Sequence, residues 1–119
     1  MKRLLSYLPH KDIGWTEIGE EFTRYSLLKT RWFAIYLHRL YCPNPHPNCH
    51  DHPWHFVAIL LRGGYWEKIG NAPFVFRRPG SILWRPARTS HNVLTYGVSW
   101  SIIICGSKHR DWGFHSCEV

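Results

Sequence analysis

A chain of 119 residues can bury one substantial core and is too short for several, so a single domain is expected. Its 45% apolar content, with 7 Trp, 6 Tyr and 6 Phe, excludes the low-hydrophobicity signature of disorder. The formal charge of +7, from 15 Lys and Arg against 8 Asp and Glu, favours anionic partners; yet the basic residues are scattered and no RNP, zinc-finger or helix-turn-helix pattern appears, so a specific nucleic-acid partner is not expected.

Residues 1–20 read as an N-terminal arm, with a short helical turn or extended piece over Met1 to Leu8 ended by Pro9, and residues 21–119 read as one all-β unit. Phe22 to Leu28 and Arg31 to Tyr41 are rich in aromatic and branched residues, and Phe33, Ile35 and Leu37 alternate with Ala34, Tyr36 and His38, which predicts strands. Cys42 to Cys49 holds Pro43, Pro45 and Pro47, a density that predicts a loop rather than an interior strand. Phe56 to Leu61 is a continuous apolar run ended by Gly63-Gly64, the pattern of a buried strand and a tight turn. Tyr65 to Ile69, Phe74 to Phe76, Ile82 to Trp84, Asn92 to Leu94 and Ser99 to Cys105 follow as further short strands. Many short strands without an intervening amphipathic helix predict a sandwich or barrel.

The cysteines Cys42, Cys49, Cys105 and Cys117 occur without a signal-peptide core or an apolar run long enough to span a bilayer, so a reduced cytoplasmic protein with no membrane partner is expected. Cys105 closes an apolar run and reads as a small buried hydrophobe. Cys42 and Cys49 flank the proline-rich loop and could be bridged, or with His46 and His50 could form a zinc-like set, though the spacing is not that of a standard finger. The Trp and Tyr residues read mainly as core.

The chemistry concentrates in His50-Asp51-His52-Pro53-Trp54-His55. A His-x-His pair on an extended segment puts both rings on one face, whereas on a helix they would diverge. Pro53 disfavours helical dihedrals at His52. His55 turns inward as a fourth ligand if Pro53 shifts the register, and outward if it does not. Glu67 is a weaker candidate, since its facing is not legible. Arg77, Arg78, Arg85 and Arg88 could clamp an anionic substrate, with Arg85 and Arg88 nearest the histidine that follows, or could form a solvated edge that discourages sheet pairing.

These residues resemble the cupins. Gly80, Pro86 and His91 match the second cupin motif at every spacing, with Arg88 in place of its inner glycine, and His50, His52 and the Gly63-Gly64 turn match the first. The glutamate usual in that motif would fall at Phe56 or Val57, neither a ligand. From about Arg31 to Phe114 the chain also resembles small cupin-like proteins of bacteria and their phages, through His-Asp-His-Pro-Trp, Gly-Gly-Tyr and the closing Trp112-Gly113-Phe114. The resemblance implies a double-stranded β-helix (jelly-roll) barrel and a divalent metal ion on His50, His52 and His91, with Fe(II) favoured and Zn, Ni or Mn compatible. It points to a three-histidine, dioxygenase-like site acting on a small anionic molecule, in a monomer or a homodimer. Two other readings stay open: a binding cupin that sequesters or senses an anionic molecule or nucleotide, and a metal-independent sugar-nucleotide isomerase with His52 or His91 as base.

Overall fold

The structure is a computed structural model that describes residues 10–13, 21–44, 48–50, 52, 54–106 and 114–116, with backbone alone for 10–13, 48–50 and 114–116. Among the described residues there are eleven strands and no helix. One sheet of six runs in the order β1 (His10–Ile13), β2 (Glu21–Lys29), β3 (Phe33–Tyr41), β10 (Ser99–Gly106), β5 (Phe56–Arg62) and β8 (Ile82–Arg85). The other, of five, runs β11 (Phe114–Ser116), β4 (Asn48–His50), β9 (His91–Leu94), β6 (Tyr65–Ile69) and β7 (Val75–Arg77). All pairings are antiparallel, which short connections permit. The expected all-β architecture is what the described residues form.

Alternation along the central strands builds the interior. Phe56, Ala58 and Leu60 of β5 are buried between the less buried Val57, Ile59 and Leu61, and Ala34 and Tyr36 of β3 and Ile103 and Cys105 of β10 meet them from neighbouring strands. Cys105 behaves as expected of a buried thiol: it is 2% exposed, and burial pushes its pKa up to about 11. The aromatic residues divide more evenly than expected. Tyr36 and Tyr65 are core, whereas Trp32, Trp84 and Tyr96 lie mostly in solvent.

One local expectation is corrected. The proline-rich stretch does not stay a loop as far as Cys49: Asn48–His50 is a strand, because pairing with Phe114–Ser116 begins once the prolines end. Residues His10–Ile13, within the stretch read as an arm, pair with β2. The helical turn over Met1 to Leu8, the Cys42–Cys49 bridge and the Cys42, His46 set involve positions outside the described side chains. Cys42 itself is a buried thiol whose Sγ lies 3.3 Å from the carbonyl oxygen of Asn44 and 3.4 Å from that of Val93.

The chain passes from the first sheet to the second at Gly63-Gly64, both with positive φ. A Cβ on Gly63 would lie 2.3 Å from the carbonyl oxygen of Val98, and one on Gly64 2.4 Å from that of Arg77. Only glycine satisfies both the dihedral and the close approach.

Candidate metal centre

His91 opens β9, and its Cα partners are His50 on one side and Ile69 on the other. The backbone thus sets His50 directly opposite His91, although 41 residues separate them in sequence. His52 lies just past the end of β4, its N–H donating to the carbonyl of Ala87 at 3.0 Å. Strand periodicity alone therefore does not place it. The bond to Ala87, in the turn after β8, does. The ring centroids of His52 and His91 are 4.9 Å apart at 71°.

Glu67 is the residue that sequence reasoning undervalued. It is 1% exposed, on the inward face of β6 with Tyr65. Its Oε1 accepts from Arg77 Nε at 3.1 Å and from Arg85 Nη2, while Oε2 accepts from Arg85 Nε at 3.0 Å and lies 2.7 Å from His91 Nδ1. Each oxygen offers about two lone-pair sites, so the carboxylate is saturated. Burial pushes its pKa up, but the hydrogen bonds from His91 and Arg85 and their charges outweigh that and hold the carboxyl well below the usual range. An ionised Glu67 accepts only, which requires Nδ1 of His91 to carry a proton; in the neutral ring Nε2 then has the lone pair.

The same carboxylate accounts for two arginines. Arg77 and Arg85 read from sequence as part of a clamp for an anionic substrate, yet both guanidiniums are turned to Glu67, and that hydrogen bond raises the pKa of Arg85 further. Arg78 and Arg88 are exposed. The signal that could have found Glu67 is period two from Tyr65: an aromatic residue facing inward carries the acid two positions on to the same face. Its partners were beyond reach, since Arg77, Arg85 and His91 lie on three different strands.

His55 takes the outward course. It is exposed, its Nδ1 accepts from the N–H of Ala87 at 2.8 Å, and its ring lies 5.8 Å from that of Trp84. The structure does not bring it to the His52–His91 pair. Phe56 does stand there, with its ring 4.6 Å from His52 and 6.2 Å from His91. The expected glutamate position thus holds an apolar wall beside the imidazoles.

The residues fit a metal ion by two measures. With a metal–nitrogen bond of about 2.1 Å, two imidazoles on one tetrahedral or octahedral ion have centroids roughly 4.5–5.3 Å apart, a range that contains the observed separation. A histidine whose Nδ1–H is held by a buried carboxylate is also the usual supporting arrangement of a metal ligand. Among the described residues no three His, Cys, Asp or Glu side chains gather as a set, and His50 contributes through its backbone register only.

With this geometry in place, comparison with known proteins identifies the fold. The fold is that of the cupins: the chain superposes on a cupin 2 conserved barrel domain protein from Rhodopseudomonas palustris with a TM-score of 0.72, covering 89% of this chain and 77% of that one at 10% identity. A cupin-2 domain protein from Rhodospirillum rubrum gives a TM-score of 0.71 over 88% of this chain and 74% of that one, at 9% identity. The DMSP lyase DddQ from Ruegeria pomeroyi gives 0.67 at 17% identity, covering 87% of this chain, which spans 60% of the lyase. Fe(II) HppE gives 0.69 at 13% identity over 82% of this chain and 56% of that one. No protein-family model and no curated protein sequence matches the chain.

Proposed function

We propose that this cupin binds a divalent metal ion through His50, His52 and His91, with Glu67 holding His91 in the tautomer that presents Nε2. The observation that carries the reading is the saturated, buried carboxylate at His91 Nδ1 combined with the His52 ring at ligand spacing. Fe(II) is the favoured ion, in keeping with Fe(II) HppE among the neighbours, and the reaction class is dioxygenase-like chemistry on a small anionic substrate. When bound, the ion supplies Lewis acidity and, for iron, redox capacity; three neutral imidazoles leave about three octahedral positions for other donors.

The chain's own contribution is orientation and charge. Glu67 fixes the His91 ring, Phe56 shields both imidazoles from water, and Arg77 with Arg85 against one carboxylate leaves this wall with a surplus positive charge that attracts an anion. The metal-independent isomerase reading has less support, because one general base needs only one imidazole, whereas His52 and His91 stand at ligand spacing. A binding cupin shares the same site and differs only in lacking turnover.

Elemental analysis of protein purified without added metal tests the proposal. Near-stoichiometric metal is expected in the wild type and at least a tenfold loss in His91→Ala and His52→Ala. Equal metal content in wild type and both variants would overturn it. Oxygen uptake by anaerobically Fe(II)-loaded protein, given thiol or diketone candidates, separates an enzyme from a binding protein.

A further inference from the structure

Arg24 occupies a position where the interior of a barrel is ordinarily apolar. On the inward face of the six-stranded sheet it stands opposite His38, in a row that continues through Ser101 to Leu60. Its guanidinium carbon lies 4.4 Å from the centroid of the Tyr36 ring, one row further along. Tyr36 is 4% exposed, so this stacking holds the cation against the core instead of in open solvent. The charge reaches His38 on one side and Cys105 on the other, acting to lower the pKa of both, although burial outweighs it at Cys105. Arg24 thus leans towards the row of Cys105 and Phe56, and the Phe56 ring packs on His52. Beside the guanidinium, the Nε2 of His38 is buried without a hydrogen-bond partner. We infer that Arg24 and His38 form a subsite for the carboxylate of a small ligand whose other end lies at His52 and His91. The inference deepens the metal-site proposal and rests on it for that second end only.

The chemistry of the surroundings sets the ligand class. A guanidinium fork takes a carboxylate on two parallel hydrogen bonds. Its five donors also allow it to serve a neighbouring strand along one edge, where its Cα partner is Asp12, and a ligand along the other. His38 is kept neutral by burial and by the Arg24 charge, and as the Nε2–H tautomer it lacks an acceptor that a carboxylate oxygen supplies. One guanidinium balances one charge, which suits a monoanionic carboxylate better than a dianionic phosphate. Between Tyr36 and Phe56 the inward side chains are Ile103 and Ala58, both apolar. These two rings stand on strands two spacings apart, about 10 Å, so the ligand needs a short apolar body of a few carbons. The anion clamp expected of Arg85 and Arg88 is then supplied from the far side of the same sheet.

Titration of the full chain, stripped of metal by chelator, with butanoate and with its uncharged isostere butanamide tests the inference. Wild type is expected to bind butanoate at least tenfold more tightly than butanamide, the margin of a charge-assisted hydrogen bond. Arg24→Gln should lose this preference, and Arg24→Lys, which keeps the charge without the fork, should retain only part of it. Equal binding of the two probes by wild type would overturn the inference, as would an undiminished preference in Arg24→Gln. Should Arg24→Gln fail to fold, the Nε–H resonance of Arg24 in wild type decides: it should shift with butanoate and not with butanamide, and a resonance that stays in place with both would overturn the assignment. Since no ion is present, failure here is distinct from failure of the metal site, which is read by metal content in His91→Ala and His52→Ala.

Discussion

His91 and His38 are both imidazoles on strands with ring nitrogens inside the barrel, and their surroundings could hardly differ more. His91 faces a carboxylate that itself holds two guanidiniums. His38 lies between Phe22, with ring centroids 4.8 Å apart, and Tyr36, at 6.1 Å; its Nε2 is sealed from solvent without a hydrogen-bond partner. Burial, reinforced by the charge of Arg24, lowers the pKa of His38 to about 3, so that imidazole is neutral packing. What makes an inward histidine a candidate ligand is thus the group behind it, and neither strand periodicity nor burial distinguishes the two.

The largest expected effect tests the His91 side. His91→Ala should abolish metal binding, whereas His38→Gln should leave metal content unchanged; a loss of metal in His38→Gln would break the distinction. Next comes Glu67→Gln, which keeps the shape and removes the charge that two partly buried arginines face. It should cost about 3 kcal/mol by urea denaturation and weaken metal affinity about 10–100-fold. If affinity is untouched while stability falls, Glu67 serves only the fold.

The pH dependence sharpens the other side. Below pH 6.5 the unfolded chain protonates His38 while the fold resists until about 3. This group's contribution is therefore full above pH 6.5 and is lost as pH falls, by up to about 1.4 kcal/mol per pH unit. Comparing urea midpoints at pH 7.5 and pH 5, His38→Gln should show a shallower decline than wild type, and equal declines would refute the assignment. The smallest effect belongs to His55→Ala, whose metal content and affinity should match wild type, since that ring is exposed and bonded to the Ala87 amide.

The strands were legible because their signals are local. Phe56 to Leu61 is an apolar run ended by a glycine pair, Tyr65 to Ile69 lies between that pair and Gly70, and the spacing of Gly80, Pro86 and His91 located the residue on which the site turns. The supporting carboxylate was harder to read. Its partners are 10, 18 and 24 residues away on separate strands, and which arginine meets which acid depends on a register that no local pattern encodes. For the same reason Arg77 and Arg85 looked like substrate ligands: sequence shows a positive charge but not the negative charge already opposite it. His38 passed unremarked as one member of an alternating strand.

The Gly63-Gly64 turn bears on all of this in mechanical terms. It contains no functional group, yet it is the joint at which β5 hands the chain to β6, seated directly on the backbone of Arg77, whose side chain reaches Glu67. Two residues of strand, Tyr65 and Trp66, separate the joint from the acid, so alignment of the carboxylate, the guanidinium and the imidazole depends on the fit of two missing methyl groups. The tolerance of the site is set where there is no chemistry at all.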